Sequence, residues 1–555
     1  MNQRIDNIVV YRAREIITME PSLPTATAVA VHQGRILSVG SFDDIRPWLQ
    51  GRSYTINDDF YDSVIVPGFI DTHVHPLPGA LICNAAFLTP FSWKLPWQNV
   101  AALTTPDAYR TALKKFIDQH TSSPDALLTW GYHEAWHGPL SKQELDLLSP
   151  KIPLVVWHFS THEIYVNSSA LQHMQLPTAI PAGINPAHID REQGHFFETG
   201  AFFAANSLKN LFHNTSLIEH GMTRFLSAVH AGGITTIADM ATGILTDLRQ
   251  EAALLTTLLT KSPIPIRLLM TPDAKQLSSR FPNKSDIIKE IESVVALHHH
   301  EQVFFGKQVK LFADGAFFSQ RMRMEYPGYI DGHHGEWVMD PQEFQELAQL
   351  FWRAGYTIHV HTNGNEGLEM VLTTLAMLHN DHPRFDHRFT VEHCGCATDD
   401  QLKRLHTLGA LVSAQVYYVY TLAERYAIEA LGTDRAAYIS PIGSLAQHGI
   451  PFSIHSDFPL APLQPLFLAH IAHTRTTSNG TIIGPRERIT RYQALRAITS
   501  DAAYILRLEH EIGSIRAGKF ADFTILDHNP LDAYHELKDI TVHGTIMRGI
   551  AYPST

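Results

Sequence analysis

The chain is poor in cysteine: Cys83, Cys394 and Cys396 are the only three among 555 residues. So sparse and odd a set of thiols excludes the disulfide framework of a small secreted domain. No apolar run approaches the roughly 18 residues of a membrane-spanning helix, so no membrane partner is expected. The opening Met1-Asn2-Gln3-Arg4-Ile5-Asp6-Asn7 lacks the charged-then-apolar profile of a secretory leader, and the expected location is cytoplasmic. A basic surplus is missing as well. Lys and Arg number 43 against 55 Asp and Glu, a net charge of −12, and a nucleic-acid partner asks for the opposite balance. The 33 Gly and 31 Pro follow no period, which removes collagen-like and low-complexity folds.

What is present is a globular composition with one excess. Hydrophobic residues make up 45% and charged residues 18%, enough apolar character for a large core. The excess is in histidine, with 34 residues. The N-terminal region reads as short strands at Asn7–Tyr11, Ala28–Val31 and Ile36–Val39, with Gln33-Gly34 as a hairpin turn. The C-terminal end has the same texture: Ala521–Leu526, then Thr541–Met547 paired with Gly549–Tyr552. These ends predict one composite β-domain from residues 1–62 and 511–555.

Between them, apolar runs alternate with amphipathic stretches, the pattern of βα units on a parallel sheet. Strands are expected at Val64–Ile70, Ile234–Ala238, Ile266–Met270, Val309–Ala313, Thr357–Val360, Phe389–Val391, Ala410–Ala414 and Pro451–Ile454. Eight such units predict an α/β closed barrel over 63–80 and 215–510, with catalytic groups at the C-terminal strand ends. Helices are expected at Pro341–Arg353 and, behind a Thr490/Gln493 capping box, at Ala494–Leu506. The interval between the first two strands is far too long for a loop. Residues 81–214 are therefore expected to form an inserted subdomain, a lid or pocket wall.

The strand ends carry the chemistry. The first runs Pro67-Gly68-Phe69-Ile70-Asp71-Thr72-His73-Val74-His75-Pro76. Residues two apart on a strand face the same side, so His73 and His75 can meet one metal ion. Later strands end in His359-Val360-His361, Val391-Glu392-His393-Cys394 and His455-Ser456-Asp457. Imidazole nitrogen and carboxylate oxygen suit Zn²⁺ and similar ions. Lys310, in Val309-Lys310-Leu311-Phe312-Ala313-Asp314-Gly315, is out of place as an ammonium among metal ligands. As a carbamate it becomes a bridging carboxylate.

These blocks, with GITTIADM (233–240) and GSIRAGKFADFTILD (513–527), occur in the order seen in the amidohydrolase superfamily. The chain resembles its YtcJ-like (amidohydrolase 3) group over nearly its whole length. The resemblance implies a distorted (β/α)8 TIM barrel with a small composite β-sandwich domain. It implies that His73 and His75 bind the more buried of two zinc ions, that carboxylated Lys310 bridges, and that His361 and His393 hold the second. Asp457 touches the metal site and acts as general base and acid. The activity implied is hydrolysis of a C–N bond in a small non-peptide amide, formamide or cyclic amide. Two departures stand out. His361-Thr362-Asn363-Gly364-Asn365 has an amide where the family usually has Asp, and His455 replaces the usual Gly before Ser-Asp.

Substrate contacts are expected from His162, Glu198, His359, His455 and Trp136, with His359 placed in the pocket rather than on the metal. Two other readings stay open. One is a mononuclear deaminase of the same superfamily, which usually has a Glu closely following the strand-five His. Here Glu366 lies five residues on, and the bridging lysine is present. The other is a non-catalytic binding or regulatory protein on this scaffold. A small-molecule substrate is the expected partner, and a homodimer is left open.

Overall fold

The computed structural model of the chain describes residues 7–121, 126–181, 184–208, 211, 215–298 and 300–554. All eight expected central strands form, here labelled β1 (Phe69–Val74), β2 (Ile234–Thr242), β3 (Arg267–Pro272), β4 (Gln308–Phe312), β5 (Thr357–Thr362), β6 (Thr390–His393), β7 (Leu411–Ala414) and β8 (Phe452–Ile454). They read as continuous apolar runs because both faces are covered: every residue of β1, β2, β5 and β6 is buried, as parallel strands under helices require.

The pairing runs in a ring. β1, β2 and β3 pair in parallel, and β4 to β8 form a second parallel set. Single parallel bridges close the two seams, Asp273 with Lys310 and Val74 with Phe458. The first seam is distorted for a local reason. An additional strand, Val303–Phe305, pairs with β3, and after Gly306-Lys307 the chain continues as β4 beside β5. One stretch thus divides its hydrogen bonds between two neighbours, which the apolar pattern of Val309–Ala313 alone does not reveal.

Strands from both ends of the chain share one sheet. Its path runs Ile550–Pro553, Val542–Met547, Phe523–Leu526, Val64–Pro67, Ile8–Ile17, Thr25–His32 and Arg35–Gly40, with Tyr54–Asn57 pairing beside Ile8–Ile17. The expected single strand Val64–Ile70 is therefore two: Val64–Pro67 belongs to this sheet and Phe69–Val74 to the ring. Gly68 makes the crossing, where a Cβ would stand 2.2 Å from Thr235 Oγ1.

The long interval after β1 builds its own six-stranded sheet, from Ala86–Phe87 to His195–Phe197. Helix Pro341–Arg353 forms as expected. Ala494–Leu506 does not form one helix. The capping box of Thr490 and Gln493 starts Arg491–Ala497, and a second helix covers Ser500–Ile505. The break lies at Thr499 (φ −136°, ψ −95°), whose hydroxyl donates to Leu495 O at 2.6 Å and so competes with the helical ladder. Among the described residues no helix is long and apolar enough to cross a membrane.

Candidate metal centre

Strand alternation brings Lys310, His359 and His361 of β4 and β5 to the inside of the ring, where His73 of β1 meets them through Glu392. Lys310 stands directly beside His359 in register, and Phe312 beside His361. In β6 alternation alone would send Glu392 and His393 to opposite sides. Instead His393 takes φ 73° and Cys394 φ 51°, which ends the strand and turns the imidazole back to the cluster. Asp457 sits at φ 53°, its N–H donating to His73 O at 2.9 Å. Left-handed backbone at non-glycine residues is strain retained where geometry matters.

The donor atoms converge. Asp457 Oδ1 lies 3.3 Å from His75 Nε2 and 3.6 Å from His73 Nε2, and Asp457 Oδ2 lies 3.6 Å from His393 Nδ1. Ligands 2.0–2.1 Å from a tetrahedral zinc ion stand about 3.3–3.4 Å apart. His73, His75 and Asp457 form one set able to hold an ion, and His73, His393 and His455 another. His361 belongs to the same wall, its ring 4.6 Å from that of His393.

Electrostatics favour the ligand forms. Burial, reinforced by Lys310 and neighbouring imidazoles, holds His73 well below the usual histidine range. Burial and the same kind of neighbours do this to His393. Burial pushes His361 down to about 3 and His455 to about 4. These rings are neutral at pH 7, as coordination requires. Burial pushes the Asp457 carboxyl up, but its hydrogen bond and charge contact with His75 outweigh this and leave it below the ordinary value. Burial brings the Lys310 ammonium down to about 8, and its Nζ is enclosed with no hydrogen-bond partner. His75 Nδ1 is likewise buried without a hydrogen-bond partner, 4.0 Å from Asp239 Oδ1. The residues fit a divalent ion: neutral imidazoles at His73, His361 and His393, an ionised carboxylate at Asp457, and an orphaned amine that a carbamate would turn into an acceptor.

A supporting layer lies behind. Glu392 accepts from His73 Nδ1 at 2.8 Å through Oε2 and from His359 Nδ1 at 2.6 Å through Oε1, which leaves His73 Nε2 for an ion. Asn363 donates through Nδ2 to His361 Nε2 at 3.1 Å and accepts from Tyr418 OH at 3.0 Å, so Nδ1 is the His361 nitrogen left free. His455 bonds Ser413 Oγ through Nδ1 at 2.7 Å, and its Nε2 lies 3.2 Å from His393 Nδ1. Asp71 accepts from the Ser456 and His73 amides at 3.1 and 3.3 Å. Sequence reasoning gave no role to Glu392, Asn363 or Asp71. Their adjacency to the ligands was the available signal.

The donors open onto a cavity of about 60 Å³. The inserted sheet supplies much of its far wall. Trp157 reaches it from strand Leu154–His158, and Thr161 and His162 from the link between that strand and the antiparallel Glu163–Val166. His162 Nδ1 donates to Glu198 Oε2 at 2.7 Å, and the other oxygen of Glu198 accepts from Ala316 N at 3.1 Å. Burial opposes charge on both, but the pairing prevails: His162 is raised and Glu198 lowered from their ordinary values.

Of the other expected substrate contacts, His359, His455 and Glu198 are fully buried behind the cavity rather than on its surface. Trp136 stands apart, in a groove of about 900 Å³ with Phe91, Tyr420 and Arg425. Its ring packs on Phe91 and under the Arg425 guanidinium. Glu366 pairs with Arg323 at 2.8 Å, away from the cavity.

The sequence profile described as the amidohydrolase family matches residues 61–550. The N-substituted formamide deformylase of Arthrobacter pascens is 25% identical over 570 residues, 99% of this chain and 98% of its own. The putative amidohydrolase YtcJ of Bacillus subtilis (strain 168) is 24% identical over 566 residues, 97% of this chain and 99% of its own. In fold, an uncharacterized metal-dependent hydrolase from Pyrococcus horikoshii superposes with a TM-score of 0.72 at 16% identity, covering 96% of this chain and 99% of that one. With strand-end histidines arranged as described and a family match over residues 61–550, the chain belongs to the amidohydrolase family and is similar to its YtcJ-like members.

Proposed function

We propose that this protein is a metal-dependent amidohydrolase that cleaves a C–N bond in a small non-peptide amide, formamide or cyclic amide. One observation carries the reading: nitrogens of His73, His75 and His393 each stand 3.3–3.6 Å from an Asp457 carboxylate oxygen on the wall of a cavity. The A. pascens relative, named for formamide deformylation, supports the bond type. The ring of strands and the two flanking sheets support a distorted (β/α)8 barrel. They also support a composite β-domain (1–62 and 511–555) and an inserted subdomain (81–214).

His73, His75, His361, His393 and Asp457 would hold two zinc ions, with Lys310 carboxylated between them. Bound there, the ions lower the pKa of water and polarise the scissile carbonyl. Asp457 accepts the proton of the attacking water at its carboxylate. The C–N bond then breaks as Asp457 returns that proton to the leaving nitrogen. His162, on the opposite wall, orients the substrate. The deaminase reading loses ground because Glu366 faces Arg323 and not the cavity.

The test is a panel of amides, formamides, hydantoins and lactams offered to zinc-loaded and metal-stripped protein. The account expects turnover of at least one class that disappears on chelation and returns with zinc. Turnover that survives complete stripping, or none across the panel, contradicts it.

A further inference from the structure

His455 is fully buried and is not among the described residues that line the cavity, so the substrate contact expected of it is out of reach. Its imidazole has another use. The His455 N–H donates to Ala414 O at 3.2 Å, which carries the pairing of β8 with β7 one residue further. Alternation then puts the side chain on the same side as that of Ser453.

A chain of hydroxyls fixes the ring. Ser453 Oγ lies 2.9 Å from Thr72 Oγ1, Thr72 Oγ1 2.9 Å from Ser413 Oγ, and Ser413 Oγ 2.7 Å from His455 Nδ1. The three hydroxyl residues are fully buried and come from β8, β1 and β7. The Glu392 carboxylate faces the same nitrogen, with Oε2 3.6 Å from His455 Nδ1. These partners place the hydrogen of the neutral ring on Nδ1 and leave the lone pair on Nε2.

That lone pair is aimed at the ligand cluster. His455 Nε2 is 3.2 Å from His393 Nδ1. The His455 ring lies 4.7 Å from that of His73 and 5.1 Å from that of His393, and the three imidazoles can each offer a nitrogen to one ion. Two ring nitrogens this close, one of them a lone pair, need a proton or a cation between them. Tetrahedral zinc sets its ligands at about that separation.

We propose that His455 is itself a metal ligand, holding one of the ions through Nε2 together with His73 and His393. The buried hydroxyls of Ser453, Thr72 and Ser413 are the support that orients it. The inference deepens the metal-dependent reading of the site and rests on it for the presence of an ion, but not on C–N hydrolysis.

Two measurements on the zinc-loaded full chain test this, and neither needs a substrate. The first is diffraction at the zinc absorption edge, which locates the ions. The expected result is a zinc peak at bonding distance, about 2.0–2.1 Å, from His455 Nε2. Zinc peaks that all lie beyond bonding distance of that atom overturn the proposal. The second is zinc affinity by competition with a chelator, in His455→Asn and His455→Gln. The Asn amide can still meet Ser413 but leaves nothing at the Nε2 position. The Gln amide can donate a hydrogen bond to His393 from near that position but does not replace imidazole on zinc. Both variants should weaken one zinc equivalent by more than about 100-fold, beyond what the loss of a supporting hydrogen bond typically costs. A weakened Asn variant beside a Gln variant that binds like the unaltered protein reduces His455 to a hydrogen-bond partner of His393 and overturns the proposal. If both variants fail to fold, the zinc peaks of the unaltered protein decide. Zinc on His455 without turnover of any amide retains the proposal and sinks the hydrolase reading. Zinc held elsewhere in the cluster with normal turnover does the reverse.

Discussion

His73 and Glu392 are joined by a buried hydrogen bond of 2.8 Å, from Nδ1 to Oε2, and that bond decides which nitrogen of His73 faces the ligand cluster. Partners of this kind fix ring orientation, and their loss typically costs about 10–100-fold in metal affinity. Glu392→Gln is therefore expected to weaken zinc binding by about that factor, read by competition with a chelator. An unchanged affinity in a folded variant would contradict the assignment.

Asp457 has the proton-transfer role in the proposed reaction. Asp457→Asn keeps the side-chain shape but cannot shuttle a proton. The expected outcome is a fall in kcat of about 10²–10⁴-fold with zinc largely retained. Loss of turnover that tracks loss of metal equivalent for equivalent would reduce Asp457 to a ligand alone.

The metal-free protein should be most stable near neutral pH, with a decline on both sides. Burial pushes His158, His387 and His470 down to about 4. Once the chain unfolds they take up protons below about pH 6.5. Their stabilisation is therefore present above that value and fades as the pH falls toward 4. Glu251 works in the other direction: burial, with the nearby Asp239 charge, raises it to about 8. Its contribution is complete at low pH and is lost as the pH rises from about 4.3 through 8. Asp71 and Asp314, raised by burial to about 7, and Asp239, raised to about 6, act as Glu251 does. Burial also lowers His137, His361 and His455 to about 4, 3 and 4. The histidines outnumber the carboxyls on the acid side, and Glu251 dominates between pH 7 and 8. Thermal melts from pH 4.5 to 8.5 test this, and a melting temperature rising steadily as the pH falls below 6 would contradict it.

Gly68 carries the chain from the composite sheet into the ring, with Thr235 packed where a Cβ would go. Gly68→Ala should destabilise by about 1–3 kcal/mol, as overpacking does. Thr235→Ala, which removes the nearest atoms, should recover part of it. Chemical denaturation of the single and double variants measures both.

The strand ends were legible because one period of two, repeated after apolar runs, places His73 with His75 and His359 with His361. Glu392 was not, because alternation puts it opposite His393; only the left-handed backbone at His393 brings both inside. The split of the fourth ring strand and the break at Thr499 were hidden for a related reason. Each depends on which neighbour takes a backbone hydrogen bond, and hydrophobic pattern is silent on that. Trp136 has the look of a pocket aromatic in sequence, but tertiary packing sends it to a separate groove. His162 was readable as a cleft residue, whereas its tie to Glu198 joins positions 36 apart that no spacing rule links.

The most direct test of the central claim is the metal content of protein purified without chelator, set beside Lys310→Ala. Lys310 Nζ is buried and unpartnered, and burial holds it near the pH where a free amine can take up CO₂. The account predicts about two zinc equivalents per chain in the unaltered protein and about one or fewer in Lys310→Ala, in line with a bridged two-ion centre. Near-zero metal in the unaltered protein, persisting after zinc is added back, would contradict the account.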